Sequence, residues 1–148
     1  MSFINWNETL DLGIAIIDRE HRELAKAIND LHFKAKDAAS TGELKRLMNG
    51  LQVSIEAHFA TEERFFAEYG YPGAETHAQL HRDLEKQLTE LIDKISRDRL
   101  PFTDTVLAFV KDWFLTHTTG SDLVYTLWMR NHGFIHPTTK DLIPRFKR

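Results

Sequence analysis

Apolar side chains recur at steps of three and four along almost the whole chain, in four separate helical runs. In every run, histidine or a carboxylate stands where the period calls for leucine or isoleucine. The first run reads His21, Leu24, Ile28, Leu31, Ala35 and Ala38, and the second Leu44, Leu47, Leu51, Ile55, His58, Glu62 and Phe66. The third is Ala74, His77, His81, Leu84, Leu88, Leu91 and Ile95, and the fourth Val106, Val110, Trp113, His117, Val124 and Leu127. Imidazoles and carboxylates are costly in a core unless they are paired or bound to metal. His21, His58, Glu62, His77, His81 and His117 therefore need a common partner. A buried hydrogen-bond network is one solution. A metal site between the helices is the other, and it is the reading adopted here.

Breaks between the runs set the architecture. Asp18 stands where it can cap the first helix, and Ser40-Thr41-Gly42 ends it. GYPG at 70–73 is a turn signal, with Pro72 where a helix start tolerates proline. Arg99-Leu100-Pro101 stops the third run, Thr103 caps the fourth, and that helix ends near Gly133. The prediction is an all-α, up-down-up-down antiparallel four-helix bundle. It forms one domain over 1–148, with helices at about 18–39, 42–69, 73–97 and 103–131. An extended arm over 1–17 is anchored by Trp6, Leu10, Leu12, Ile14 and Ile16, and residues 132–148 form a short tail.

The chain contains no cysteine, which excludes disulfides and thiolate metal sites. Its net charge of −3 and the lack of a basic run argue against nucleic acid as a partner. No stretch approaches the ~20 apolar residues of a membrane span, and the first residues do not resemble a signal peptide. The expected location is cytoplasmic. His32, His132 and His136 read as surface or tail residues, and Trp113, Tyr125 and Trp128 as core packing.

Spacing sharpens the metal reading. His58–Glu62 and His77–His81 are i, i+4 pairs, ~40° apart on a helix and ~6 Å along its axis, so both members reach one site. His117 and Asp122 are i, i+5, ~140° apart on an ideal helix, and need help to converge. A local π-type bulge would bring Asp122 round, and Gly120 would ease it. Close helix packing is the other explanation for that glycine. Five imidazoles and two carboxylates exceed the ~4 ligands of a zinc ion and suit two iron-type metals sharing carboxylates. The Glu-x-x-His pattern of ferritin-like di-iron proteins and the HExxH zinc pattern are both absent.

The ordered set His21, HFATE (58–62), HAQLH (77–81) and HTTGSD (117–122) resembles the hemerythrin family, in its single-domain bacterial form. IDREH (17–21), GYP (70–72) and WFLTH (113–117) extend the likeness over nearly the whole chain. The resemblance implies a non-heme di-iron centre with an oxo or hydroxo bridge that binds dioxygen reversibly. It implies that His77, His81 and His117 hold one iron, that His21 and His58 hold a second with an open position, and that Glu62 and Asp122 bridge the two. The chain departs from the family at Phe114 and Thr118, where leucine and isoleucine usually line the oxygen pocket. The implied function is oxygen storage, transport or delivery, and not catalysis. Oxygen sensing, or turnover of peroxide, nitric oxide or ferrous iron at the same centre, are the competing classes.

Overall fold

The computed structural model describes residues 3–37, 40–96 and 104–144. Its helices are α1 (Ala15–Lys36), α2 (Thr41–Tyr69), α3 (Ala74–Ser96), α4 (Asp104–Thr119) and α5 (Ser121–Asn131). They make an antiparallel four-helix bundle in which α4 and α5 together fill the fourth position. α2 packs between α1 and α3, and α4 closes against α1. No helix among the described residues is long and apolar enough to cross a membrane. The expected stop at 99–101, the cap at Thr103 and the end of the first helix at 38–39 lie outside the described residues.

Local chemistry explains most helix ends. The Ser40 hydroxyl accepts from the Glu43 amide at 3.1 Å, which satisfies one free N–H of the first turn of α2. α2 ends at Gly70, which takes a left-handed conformation (φ 69°). The start of α1 differs from expectation. The helix begins at Ala15, and Asp18 lies inside its first turn instead of capping it. The Asp18 carboxylate reaches backward and accepts from the amides of Leu12 at 2.6 Å and Gly13 at 3.1 Å. The entering chain folds over the first turn, so its N–H groups meet the carboxylate there. Burial pushes the Asp18 carboxyl up from its ordinary value, against those two hydrogen bonds.

The fourth run also differs. It divides at Gly120, whose backbone (φ −105°, ψ −88°) leaves the helical region. A Cβ on Gly120 would lie 2.8 Å from the Thr116 carbonyl oxygen, so the break needs a residue without one. Beyond it the inward face restarts on a new phase. Asp122, Tyr125, Thr126 and Met129 are buried. Val124 and Leu127, expected on the inner stripe, are 58% and 41% exposed. A stripe extended across Gly120 at constant period misses this reset.

Two apolar clusters enclose a polar layer. One is built on Leu24, Ile28, Leu51, Ile55, Ile92 and Val110, and the other on Ile14, Ile17, Phe66, Tyr69 and Met129. Each fully buried aliphatic or aromatic side chain contributes ~1.5–3 kcal/mol, which offsets the desolvation of the polar groups between. The tail is docked. Phe134 is buried, Ile135 and Leu142 form an antiparallel bridge, and the Tyr69 hydroxyl donates to the Ile143 carbonyl at 2.6 Å. The Ala15 amide donates to the Lys140 carbonyl at 2.9 Å, tying the tail to the start of α1.

Candidate metal centre

Each helix delivers its polar residues on the face its period dictates. α1 supplies His21, α2 His58 and Glu62, α3 His77 and His81, α4 His117, and α5 Asp122. All seven are buried, and His21, Glu62, His81 and Asp122 have no exposed surface. Their donor atoms fall into two groups. Glu62, His77, His81, His117 and Asp122 each offer an atom within 4.8 Å of all the others, and so do His21, His58, Glu62 and Asp122. The two carboxylates belong to both groups.

Distances within the cluster suit both hydrogen bonds and donors gathered around one ion. Asp122 Oδ1 lies 3.1 Å from His77 Nε2 and 3.2 Å from His117 Nε2, and Oδ2 lies 3.0 Å from His21 Nε2. Glu62 Oε1 lies 3.2 Å from His81 Nε2 and 3.5 Å from His58 Nε2. His21 Nε2 faces His58 Nε2 at 3.1 Å. Yet the Nε2 atoms of His77, His81 and His117, with Glu62 Oε1 and Asp122 Oδ1, have no partner in hydrogen-bond geometry. Leaving such groups buried costs ~1–3 kcal/mol each. Adjacent donors at ~2.1 Å from one octahedral ion stand about 3 Å apart, so cations in this layer would satisfy the orphaned atoms together.

The rear of the cluster lies outside what helical periodicity predicts. His58 Nδ1 is 2.6 Å from Glu20 Oε1, and His81 Nδ1 is 3.0 Å from Glu63 Oε2, which Arg82 also holds at 2.7 Å. A carboxylate behind an imidazole fixes its tautomer and leaves Nε2 as the donor. Tyr125, read from the sequence as core packing, donates its hydroxyl to Glu62 Oε2 at 2.5 Å. Adjacency offered a signal: Glu20 precedes His21, Glu63 follows Glu62, and Tyr125 follows Asp122 by one turn. The His81 ring also stacks on Phe59, with centroids 3.7 Å apart and planes 5° from parallel.

Electrostatics follow from burial and this crowding. Burial works to raise the Asp122 carboxyl, but the imidazoles of His117, His21 and His77 outweigh it and hold the group well below the ordinary carboxylate range. Burial works to lower His58 and His117. The Glu62 charge and the Glu20 hydrogen bond override it at His58, and Asp122 does so at His117, so both lie above the ordinary histidine value. Burial, then the charges of Glu62 and Asp122, push the Tyr125 phenol well above its usual range.

Phe114 is fully buried, with its ring centroid 6.2 Å from that of His21 and 5.7 Å from that of Trp6. Thr118 is also buried, and its hydroxyl donates to the Leu115 carbonyl at 3.3 Å, back along its own helix. His32 stacks on Phe3, His132 bonds to the Trp128 carbonyl, and His136 accepts from the amides of Thr138 and Thr139. None of the three is in the cluster.

The family model "Hemerythrin HHE cation binding domain" matches residues 12–127. The chain belongs to the hemerythrin family. It is 25% identical over 132 residues to a bacteriohemerythrin of Stenotrophomonas maltophilia, covering 89% of this chain and 85% of that protein. It is 29% identical over 120 residues to a myohemerythrin of Riftia pachyptila, covering 81% and 88%. A crystal structure of wild-type hemerythrin superposes with a TM-score of 0.79 at 21% identity, covering 84% of this chain and 96% of that one, and so shares the fold. The hemerythrin domain binds a di-iron centre, and this buried His–Glu–Asp cluster is able to hold metal ions.

Proposed function

We propose that this hemerythrin binds dioxygen reversibly at two iron ions, in the service of oxygen storage, transport or delivery. The observation that carries the reading is the division of donor atoms into two groups that share both carboxylates. In this reading His77, His81 and His117 hold one iron, His21 and His58 hold the other, and Glu62 and Asp122 serve both. The His21–His58 group has one imidazole fewer, which leaves room for an exogenous ligand on that side. When bound, a ferrous pair supplies the electrons that dioxygen needs to bind and recovers them on release.

The chain's own residues favour recovery. Phe114 and Trp6 set aromatic rings against His21 on that side. Glu20 keeps the His58 proton on Nδ1, away from the centre. A pocket of about 180 Å³ lined by Glu20, Glu23, Leu24, Ser54, Ala57 and His58 opens at the rear of His58.

Anaerobic loading with ferrous iron tests this. Two irons per chain and an absorption band that appears in air and vanishes on deoxygenation, over repeated cycles, are the expected results. One iron, a preference for zinc, or sustained consumption of peroxide or nitric oxide would overturn it.

A further inference from the structure

The two shared carboxylates are not equivalent. Asp122 turns both oxygens toward imidazoles, Oδ1 to His77 and His117 and Oδ2 to His21. Glu62 turns only Oε1 to the centre, 3.2 Å from His81 Nε2, 3.5 Å from His58 Nε2 and 4.0 Å from His77 Nε2. Its Oε2 is occupied by the Tyr125 hydroxyl. The Tyr125 ring cannot swing away. It is wholly buried, with the rings of Phe66, His77 and Tyr71 at 4.9, 5.5 and 6.2 Å. The break at Gly120 that turns Asp122 inward also brings Tyr125 inward, one turn along α5.

We propose that Tyr125 is a positioning residue that sets the redox balance of the iron pair, by holding one oxygen of Glu62 and drawing charge from that carboxylate. This rests on the reading of the site above. A donor hydrogen bond to a carboxylate weakens the charge the carboxylate offers a metal. Ferric iron loses more by this than ferrous iron, so the contact favours the reduced pair. It also fixes the Glu62 carboxylate with Oε1 toward the centre.

The test is an anaerobic redox titration of iron-loaded protein, followed by absorption. The wild type is compared with Tyr125→Phe and with protein carrying a ring-fluorinated tyrosine at position 125. Tyr125→Phe keeps the ring and removes the donor. It shifts the ratio of oxidised to reduced protein at a fixed potential about tenfold toward oxidised. The fluorinated phenol is a stronger donor and shifts the ratio the other way. A purely space-filling role predicts no shift in either. Unchanged ratios, or shifts in the same direction, overturn the proposal. If Tyr125→Phe does not fold, the fluorinated protein decides alone. A wild type that does not hold two irons overturns the site reading and this proposal with it. Two irons with a potential indifferent to Tyr125 overturn this proposal only.

Discussion

α2 and the α4–α5 pair perform the same task by different means. α2 delivers His58 and Glu62 at i, i+4 from an unbroken helix of 29 residues. The fourth position delivers His117 and Asp122 at i, i+5, and does so by ending one helix at Thr119 and starting another at Ser121. An i, i+4 pair asks nothing of the backbone. One further residue turns the second side chain away by ~100°, and the chain must leave helical geometry to recover it. The fourth helix therefore carries a local weakness that α2 does not, and the phase of everything beyond it depends on one glycine.

The largest expected effect removes a donor from each side. His58→Ala and His117→Ala should both bring iron below two per chain. Both should lower the melting temperature of the loaded protein, because each leaves buried polar groups costing ~1–3 kcal/mol apiece without partners. His32→Ala, outside the cluster, should leave iron at the wild-type level. Metal analysis with thermal melts checks this. Full iron in His117→Ala would remove α4 from the site.

Glycines sharpen the contrast. Gly50 lies within α2 with open space where a Cβ would stand. Gly50→Ala should stabilise by ~0.5–1 kcal/mol through helix propensity. At Gly120 the same change meets the Thr116 carbonyl at 2.8 Å. Gly120→Ala should cost ~1–3 kcal/mol and weaken iron binding ~10–100-fold by disturbing Asp122. Opposite signs in chemical denaturation are the expected outcome, and a stabilised Gly120→Ala would show that the break is incidental.

This difference also explains what could be read in advance. On α1, α2 and α3 the period runs unbroken, so His21, His58, Glu62, His77 and His81 could be placed on inner faces from spacing alone. On the fourth helix His117 could be placed the same way. Asp122 was suspect only because it is a good ligand at a bad spacing. The spacing predicts a π-type bulge, and the structure has a break instead. Extending the old phase through Gly120 put Val124 and Leu127 inside, where the structure has Tyr125 and Thr126. For Glu20 and Glu63 the sequence offers only their adjacency to His21 and Glu62, and for the docked tail nothing, because the partners are distant along the chain and no local periodicity encodes them.

A smaller, signed effect comes from pH. His58 and His117 both hold their protons above the ordinary histidine value of 6.5 in the iron-free fold. Their stabilising contribution is therefore fully present below pH 6.5 and is lost as pH rises through the raised values. Iron reverses the sign, because a ligand imidazole must give up its proton. On acidification from about pH 8 toward 6.5 the iron-free melting temperature should rise and the loaded one fall. Curves that run parallel would mean that neither histidine faces the metals. Glu20→Gln should reduce the rise at His58 and leave that at His117, separating α2 from α4.

The smallest effect concerns two threonines, one in each compared region. Thr118 follows His117 and stands where the family usually has isoleucine, so its hydroxyl invites the idea that it supplies a proton or a water to bound oxygen. That idea predicts slower loss of the air-induced band in Thr118→Ile. The geometry favours the opposite expectation, because the hydroxyl is committed to the Leu115 carbonyl within its own helix. Thr61 on α2 is placed differently. Its hydroxyl is shared between the Ala57 carbonyl and Glu20 Oε2, both at 3.2 Å, and Glu20 holds His58. Thr61→Val should loosen Glu20, leave the His58 imidazole less firmly oriented and shorten the lifetime of the band by a few-fold at most, since one net hydrogen bond is worth ~1 kcal/mol. Thr118→Val and Thr118→Ile should match the wild type within about twofold. Decay of the band at fixed pH and temperature in the four proteins settles the order. A Thr118 variant that decays far more slowly than the wild type would put its hydroxyl in the oxygen pocket after all.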